Sequence, residues 1–344
     1  MPDEANIRLR PGLFYLVASV AAVCLIVAAG FSWLWISLHA PYLDYPGEAV
    51  LFEVSKGMSL REIAEHLEDR GIVQSSELFR LYARAVGKTK SLKAGEYQFD
   101  HPVSLIEVVK KIDSGDVHYH RVTVPEGLDL VETAAVFVAS GFGSFADFEE
   151  ATRLVALVFD IDQEAKNLEG YLFPDTYFLT RATTASEIVR GMVARFSEFW
   201  TEDLGRRAQE LRMSPRQVVT LASLIEKEAS LPQERELVSA VFHNRLAKRI
   251  RLACDPTVIY AVKQIKEYDG VINRSDLEID SPYNTYLYPG LPPGPIANPG
   301  AEAILAALDP AESEYLYFVS KNDGSHIFSK TYAEHSRAVR RYQR

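Results

Sequence analysis

Two glutamates, Glu226 and Glu228, stand at the end of an apolar segment and are the side chains best suited to proton transfer. On a helix, the apolar side chains of residues 218–230 form one stripe, and the two glutamates lie on either margin of it. Half-burial there would raise the pKa of each carboxyl. A carboxylic acid that stays protonated near neutral pH can give its proton to a leaving oxygen. The stripe consists of Val218, Leu221, Ala222, Ile225 and Ala229.

Glu228 is the better candidate of the two. It lies nearer the carboxyl end of the helix, where the negative end of the helix dipole disfavours an ionised carboxylate. The alternative is that both glutamates are solvated surface residues that balance Lys227.

Other chemistries lack their motifs in this chain. The sequence has no glycine-rich phosphate loop, no HExxH, no CxxC and no nucleophile elbow. His118 and His120 have no third ligand in view, so neither a metal site nor a cofactor is expected. With 37 Lys+Arg against 47 Asp+Glu, the formal net charge of −10 argues against a nucleic-acid partner. Cys24 and Cys254, far apart, exclude a disulfide scaffold.

The helix that carries the glutamates has a clear start signal. Ser214 is a predicted N-cap, Pro215 suits the first helical position, and Gln217 completes a capping box. The helix should run to about Ala229, with Pro232 shortly beyond it.

A segment rich in proline and glycine, residues 281–300, follows and cannot be regular structure. Such long loops in a globular domain are usually functional. Tyr283, Asn284 and Tyr286 are candidate sugar contacts, because aromatic rings offer flat apolar faces and an amide both donates and accepts. The alternative is that the tyrosines simply pack the loop. Asp255 either orients Glu228 or caps the helix that follows it.

The N-terminal part predicts a membrane anchor. No charged residue occurs from Gly12 to Leu38, which is longer than the roughly 20 residues that a spanning helix needs. Arg8 and Arg10 flank its start, so residues 1–11 should form a cytoplasmic tail, with the rest of the chain periplasmic. The predicted location is the inner membrane, crossed once at residues 12–38. A cleaved signal peptide is the alternative, although its apolar core is typically shorter.

Residues 48–118 predict a small α+β module. Ser59 with Glu62 and Ser104 with Glu107 have capping-box spacing, and Gly115 suits a left-handed helix stop. Residues 52–67 resemble the opening half of a LysM domain, a glycan-binding unit of two strands and two helices. The alternative is a packing spacer that holds the next domain, residues 119–344, away from the membrane. The predicted fold class is therefore α+β throughout the exported part.

Five sequence blocks carry a resemblance to a known family. In this order and spacing they resemble the YceG-like family of endolytic murein transglycosylases over about residues 48–340. The blocks are LASLIEKE at 221–228, VFHNRL at 241–246, DPTVIY at 255–260, YNTY at 283–286 and GLPPG at 290–294.

The resemblance implies an inner-membrane lytic transglycosylase that cuts nascent peptidoglycan strands and ends their elongation. Such an enzyme needs no cofactor and works beside cell-wall synthases. The bond cut is the β-1,4 link between N-acetylmuramic acid and N-acetylglucosamine, and a 1,6-anhydro ring forms. The family's catalytic glutamate corresponds to Glu228. Ala229 departs from relatives with a threonine there, which leaves open whether the Ser230 hydroxyl assists.

Two other functions fit the same residues. One is a muramidase with two carboxylates, Glu228 as the acid and Asp255 or Glu169 as the base. The other is a non-catalytic glycan-binding scaffold of the cell-wall synthesis machinery.

Overall fold

The computed structural model describes residues 11–44 and 49–343, and residues 1–10 of the predicted cytoplasmic tail lie outside this part. The first helix, α1, covers Pro11–His39. From Tyr15 onward it is long and apolar enough to cross a membrane, and its side chains are not buried by the rest of the chain. The helix predicted at residues 12–38 is thus confirmed as a helix.

The chain divides into two compact units, and the division falls between His120 and Arg121. Residues Thr180–Ala182 group with the first unit, and the second unit continues to the C-terminus.

The first unit combines a two-stranded antiparallel sheet with short helices. Its elements after α1 are β1 (Val50–Val54), α2 (Leu60–Asp69), α3 (Ser76–Ala85), β2 (Gly95–Phe99) and α4 (Leu105–Ser114). Strands β1 and β2 pair with Val50 opposite Phe99. Both predicted capping boxes form at the starts of α2 and α4. Gly115 ends α4 with a φ of 75°, a conformation that glycine adopts without steric cost. The elements from β1 to β2 follow the order strand, helix, helix, strand, and both the LysM-like identity and glycan binding of this unit stay predictions.

The second unit is mainly helical. Its strands are β3 (His120–Thr123, beginning in the first unit), β4 (Thr176–Leu179), β5 (Tyr317–Ser320) and β6 (His326–Ser329). Strand β3 pairs with β4, and β5 pairs antiparallel with β6. Its helices are α5 (Leu130–Ala139), α6 (Phe145–Ala151), α7 (Ala185–Phe199), α8 (Glu202–Glu210), α9 (Pro215–Glu228), α10 (Arg235–Ala247), α11 (Asp255–Lys263), α12 (Ala301–Leu308) and α13 (Tyr332–Tyr342). Short 3-10 helices occupy Val155–Val158, Pro232–Glu234 and Asp276–Glu278.

Helix α9 is the central helix of this unit. Its start is as predicted, with the capping box of Ser214 and Gln217 and Pro215 in the first turn. The predicted single apolar stripe is wrong, because every residue from Val218 to Ile225 is buried. Helices α8, α10, α11 and α12 all pack against α9, so even Thr220 and Ser223 are enclosed. Beyond this buried stretch, the last turn, which carries the two glutamates, regains solvent access.

The loop at residues 281–300 has no regular structure, as predicted, yet much of it is buried against α9. The backbone N–H of Ile296 donates to the Ser223 hydroxyl at 3.1 Å. The Asn298 side-chain oxygen accepts from the backbone N–H groups of Gly170 and Leu172, both at 3.0 Å. These bonds satisfy buried polar groups and hold the loop to the core.

Candidate active site

Glu228 is the last residue of α9, at the point where the buried helix emerges. Its side chain keeps partial solvent access, while the surrounding protein desolvates its carboxyl and raises its pKa to about 7. A carboxyl with this pKa is half protonated at neutral pH and can act both as an acid and as a base. The predicted half-burial of this side chain is therefore present, although its cause is the packing around α9.

The Cys254 thiol donates a hydrogen bond to Glu228 and counteracts part of that rise. Burial and the nearby carboxylate raise the pKa of the thiol well above its usual value, so the sulfur keeps its proton and remains a donor. The backbone of Cys254 is fixed by Thr285, whose hydroxyl accepts from its N–H at 3.0 Å. The hydroxyl of Thr257 donates to the Cys254 carbonyl at 2.6 Å. Sequence reasoning missed this contact, since nothing local links residues 228 and 254.

Charged groups from three further elements act on the Glu228 carboxyl. Asp255 raises its pKa by repulsion, whereas His326 and Arg245 lower it. Arg245 is held in place because its guanidinium donates to the backbone carbonyls of Leu252 and Leu316, both at 2.6 Å. The block VFHNRL at 241–246 contains Arg245, but nothing in the sequence connected Arg245 or His326 with Glu228, because these residues act on its carboxyl only in the folded unit.

Glu226, the second glutamate of the pair, already has protein partners. Its carboxylate accepts from the backbone N–H of Gly300 at 3.0 Å and lies 3.5 Å from the Arg235 guanidinium. Burial still raises its pKa. These contacts tie the end of the proline- and glycine-rich loop to α9, which is a structural role, whereas the Glu228 carboxyl accepts from the Cys254 thiol.

Asp255 is not the helix cap that its position before Pro256 suggested. Cys254 occupies the N-cap position, and Asp255 is the first residue of α11. Its exposed carboxylate accepts a 2.5 Å hydrogen bond from the Tyr286 hydroxyl. Asp255 and Tyr286 are thus brought together beside Glu228.

The other two predicted sugar contacts differ from Tyr286. Asn284 is 0% exposed, and its amide donates to the carbonyls of Leu277 and Ile279 at 3.0 and 2.9 Å. The predicted direct contact between Asn284 and a sugar is therefore wrong, because this buried side chain fixes the loop from inside. Tyr283 is partly buried, and its ring lies 4.9 Å from that of Tyr260.

Glu169, considered above as a second carboxylate, is enclosed in the second unit at 4% exposure. It accepts from the backbone N–H of Leu130 at 3.3 Å and from the Tyr260 hydroxyl at 3.1 Å. Burial and the charge of Asp129 raise its pKa to about 8. A carboxyl so enclosed cannot meet a polysaccharide without rearrangement, which removes it as a candidate base.

Comparison with known proteins identifies the family of this chain. The YceG-like family matches residues 52–341, so the chain belongs to the YceG-like family. The endolytic murein transglycosylase of Bacillus subtilis is 34% identical over 322 residues, which cover 89% of this chain and 88% of the relative. The endolytic murein transglycosylase of Streptococcus pneumoniae D39 is 28% identical over 83% of this chain, which spans only 57% of that longer relative.

A solved structure is also similar. The crystal structure of a yceG-like protein from Listeria monocytogenes matches with a TM-score of 0.58 and 33% sequence identity, covering 84% of this chain and 98% of the other.

Proposed function

We propose that this chain is an endolytic murein transglycosylase in which Glu228 is the catalytic acid and base. The observation that carries the proposal is a partly exposed glutamate at the end of α9 whose carboxyl has a pKa raised to about 7 by desolvation. The names of the relatives from Bacillus subtilis and Streptococcus pneumoniae support the reaction class.

A single carboxyl suffices for this reaction because the substrate supplies the nucleophile. Protonated Glu228 gives its proton to the bridging oxygen between N-acetylmuramic acid and N-acetylglucosamine, and the bond from that oxygen to the muramyl C1 breaks. The muramyl C6 oxygen then bonds to C1, and the C6 hydroxyl proton passes to the Glu228 carboxylate. The enzyme is restored, a 1,6-anhydromuramyl end forms, and no water is consumed.

The neighbours of Glu228 suit both halves of this cycle. Desolvation and Asp255 favour the protonated acid before the bond breaks. The Cys254 thiol, Arg245 and His326 favour the carboxylate afterwards. A pKa near the working pH results from the balance, and this is where general acid–base catalysis is most effective.

Tyr286 is the loop residue that we assign to substrate binding at this site. It is partly exposed and anchored to Asp255, so its ring is held at a defined position beside Glu228. Tyr283 is assigned to the same loop surface with a packing role against Tyr260.

A muramidase with two carboxylates is the second candidate, and the observation that favours it is the exposed Asp255 carboxylate near Glu228. In that mechanism Asp255 would activate a water or bond to the sugar, and hydrolysis would add one water to the products. The mass of the new muramyl end distinguishes the two reactions.

We further propose that α1 anchors the enzyme in the inner membrane, with residues 1–11 cytoplasmic and residues 119–344 forming the periplasmic catalytic domain. Newly made glycan emerges at the outer face of this membrane, next to the synthases with which the enzyme would work. The LysM-like unit at residues 48–118 would hold the strand during cleavage.

The test is digestion of purified, uncrosslinked glycan strands by the full-length protein in detergent. The expected products end in 1,6-anhydromuramic acid, and Glu228→Gln makes none. Products heavier by one water would favour the muramidase. Intact strands with the wild-type protein, together with retained strand binding, would favour the non-catalytic scaffold.

A further inference from the structure

The end of α1 packs against the rest of the first unit. Among the α1 side chains from Tyr15 onward, those of Leu34, Ser37 and Leu38 are only partly exposed, and the others are fully exposed. Their spacing of three and four residues places them on one face of the helix. Leu38 packs against the apolar core of the first unit, and α1 contacts α4. The last turns of α1 are therefore part of this unit.

The short segment after α1 is bonded to the unit at two places. The backbone N–H of Tyr42 donates to the Val103 carbonyl at 3.0 Å, and the N–H of Val103 donates back to the Tyr42 carbonyl at 3.4 Å. This pair is an antiparallel bridge just before α4. The N–H of Asp44 donates to the carbonyl of Gly71, which follows α2, at 3.1 Å. Residues 42–44 with these two partners form a clasp between α1 and the unit.

Gly71 is fitted closely to the clasp. Its φ of 68° lies in the left-handed region that favours glycine. A Cβ at this position would lie 2.3 Å from the carbonyl oxygen of Asp44, which is far inside van der Waals contact. Any side chain at residue 71 would therefore push the segment after α1 away from the unit.

The connection from α1 to the clasp is short and stiff. Helix α1 ends at His39, and only Ala40 and Pro41 separate it from Tyr42. The N–H of Ala40 still donates to the Ile36 carbonyl at 2.7 Å, which continues the helical bonding. Pro41 has a fixed φ. Two such residues are too few for a flexible tether.

The clasp also lies close to the expected membrane surface. Trp33 and Trp35 are 61% and 55% exposed, and exposed tryptophans near the end of a spanning helix are typical of the lipid–water interface. The Trp35 ring stacks on that of His39, with 3.9 Å between the ring centroids. The helix rises only about 6 Å between these two residues. The contacts of the unit with α1 thus begin at the level of the lipid headgroups.

We propose that α1 and the first unit form one rigid body, so that the membrane surface is the partner against which this unit is held in a single orientation. The inference goes beyond the proposed anchor and rests on it. It also requires that α1 is kept in the mature protein, because a cleaved helix would take Leu38 away from the core of the unit.

The experiment measures the distance between two spin labels by pulsed electron paramagnetic resonance, with the full-length protein in lipid nanodiscs. One label is attached to Ile36→Cys on the exposed side of α1, and the other to Arg61→Cys on α2; both native side chains are exposed. Cys24→Ser and Cys254→Ser remove the native thiols. A rigid connection should give one narrow distance distribution.

Three variants test the clasp. Insertion of Gly-Ser-Gly-Ser between Ala40 and Pro41 should broaden the distribution by roughly 10 Å, the r.m.s. reach of such a linker. Gly71→Ala should also broaden it, because the added Cβ displaces Asp44. Gly87→Ala is the matched control. Gly87 has a similar φ of 72°, but a Cβ there would have no atom within 4 Å, so the distribution should stay narrow.

A second label pair within the unit, Arg61→Cys and Lys110→Cys, shows whether each variant keeps its fold, and the distance of this pair should not change. A broad distribution across the intact clasp, or a narrow one that survives the linker insertion, would overturn the inference alone. An intact mass that lacks α1 would overturn the proposed anchor and the inference with it. The products of glycan digestion test only the reaction.

Discussion

Replacement of Glu228 by glutamine should abolish activity and stabilise the protein at alkaline pH. Glutamine has the same shape as the protonated acid and still accepts the hydrogen bond from Cys254, but it has no proton to give. Loss of a general acid–base group typically costs about 10²–10⁴ in rate. Activity and stability should therefore change in opposite directions.

The magnitude of the stability effect follows from the pKa. The folded protein raises the pKa of Glu228 from 4.5 to about 7. The folded state thus binds a proton more tightly than the unfolded state, and this stabilisation is complete below pH 4.5 and lost as the pH rises through about 7. The difference corresponds to roughly 3 kcal/mol. Glu228→Gln removes this loss, so it should resemble wild type near pH 4.5 and be more stable above pH 7.

Unfolding can be followed by the fluorescence of Trp200, which packs against Phe196 in the second unit. The chain has 3 tryptophans, and replacing Trp33 and Trp35 of α1 by phenylalanine leaves Trp200 as the reporter. Urea titrations at pH 5 and pH 8 give the two free energies, and glycan digestion gives the activity.

Glu169→Gln is the matched control, because burial also raises the pKa of Glu169, to about 8. It should show the same kind of alkaline stabilisation while keeping activity. The reasoning is refuted if Glu228→Gln retains substantial lytic activity, or if its stability relative to wild type is the same at both pH values.

Three further predictions concern the neighbours of Glu228. Cys254→Ala removes a hydrogen-bond donor to the Glu228 carboxylate, so the basic limb of the pH–rate profile should move to higher pH. Cys254→Ser keeps a donor, and its profile should stay near that of wild type. The same shift in both variants would contradict the role of the thiol. Tyr286→Phe loses the bond to Asp255 and should raise KM for glycan several-fold in steady-state assays, with little effect on the unfolding free energy. Asn284→Ala leaves the Leu277 and Ile279 carbonyls unpaired and should lower the unfolding free energy by about 2 kcal/mol in urea titrations. A change in KM alone would instead restore the predicted sugar contact.

Local signals in the sequence correctly predicted the starts and ends of several helices. The capping boxes at Ser59, Ser104 and Ser214 all form, and Gly115 ends α4 as expected. These features depend on residues within one helical turn, so neighbouring residues alone specify them. The absence of regular structure at residues 281–300 follows from its proline and glycine content in the same way.

The burial of α9 could not be predicted from neighbouring residues in this way. The hydrophobic pattern indicated one apolar stripe, but four helices and the proline- and glycine-rich loop bury every residue of the helix from Val218 to Ile225. Small polar residues such as Thr220 and Ser223 look solvent-facing in a sequence, yet both are buried, and the Ser223 hydroxyl donates to the Thr220 carbonyl at 2.7 Å. The assignment of Asn284 to sugar binding failed for the same reason.

The sequence by itself determined where several helices begin and where a long apolar helix lies, and it favoured Glu228 over Glu226 as the candidate acid. Only the tertiary structure separated Glu226, bonded to Gly300, from Glu228, whose partners are Cys254, Asp255, Arg245 and His326. The physical reason is that a pKa depends on all charges and dipoles within a few ångströms, whatever their distance along the chain. Residues from α10, α11 and β6 meet at the end of α9 only after the second unit has folded.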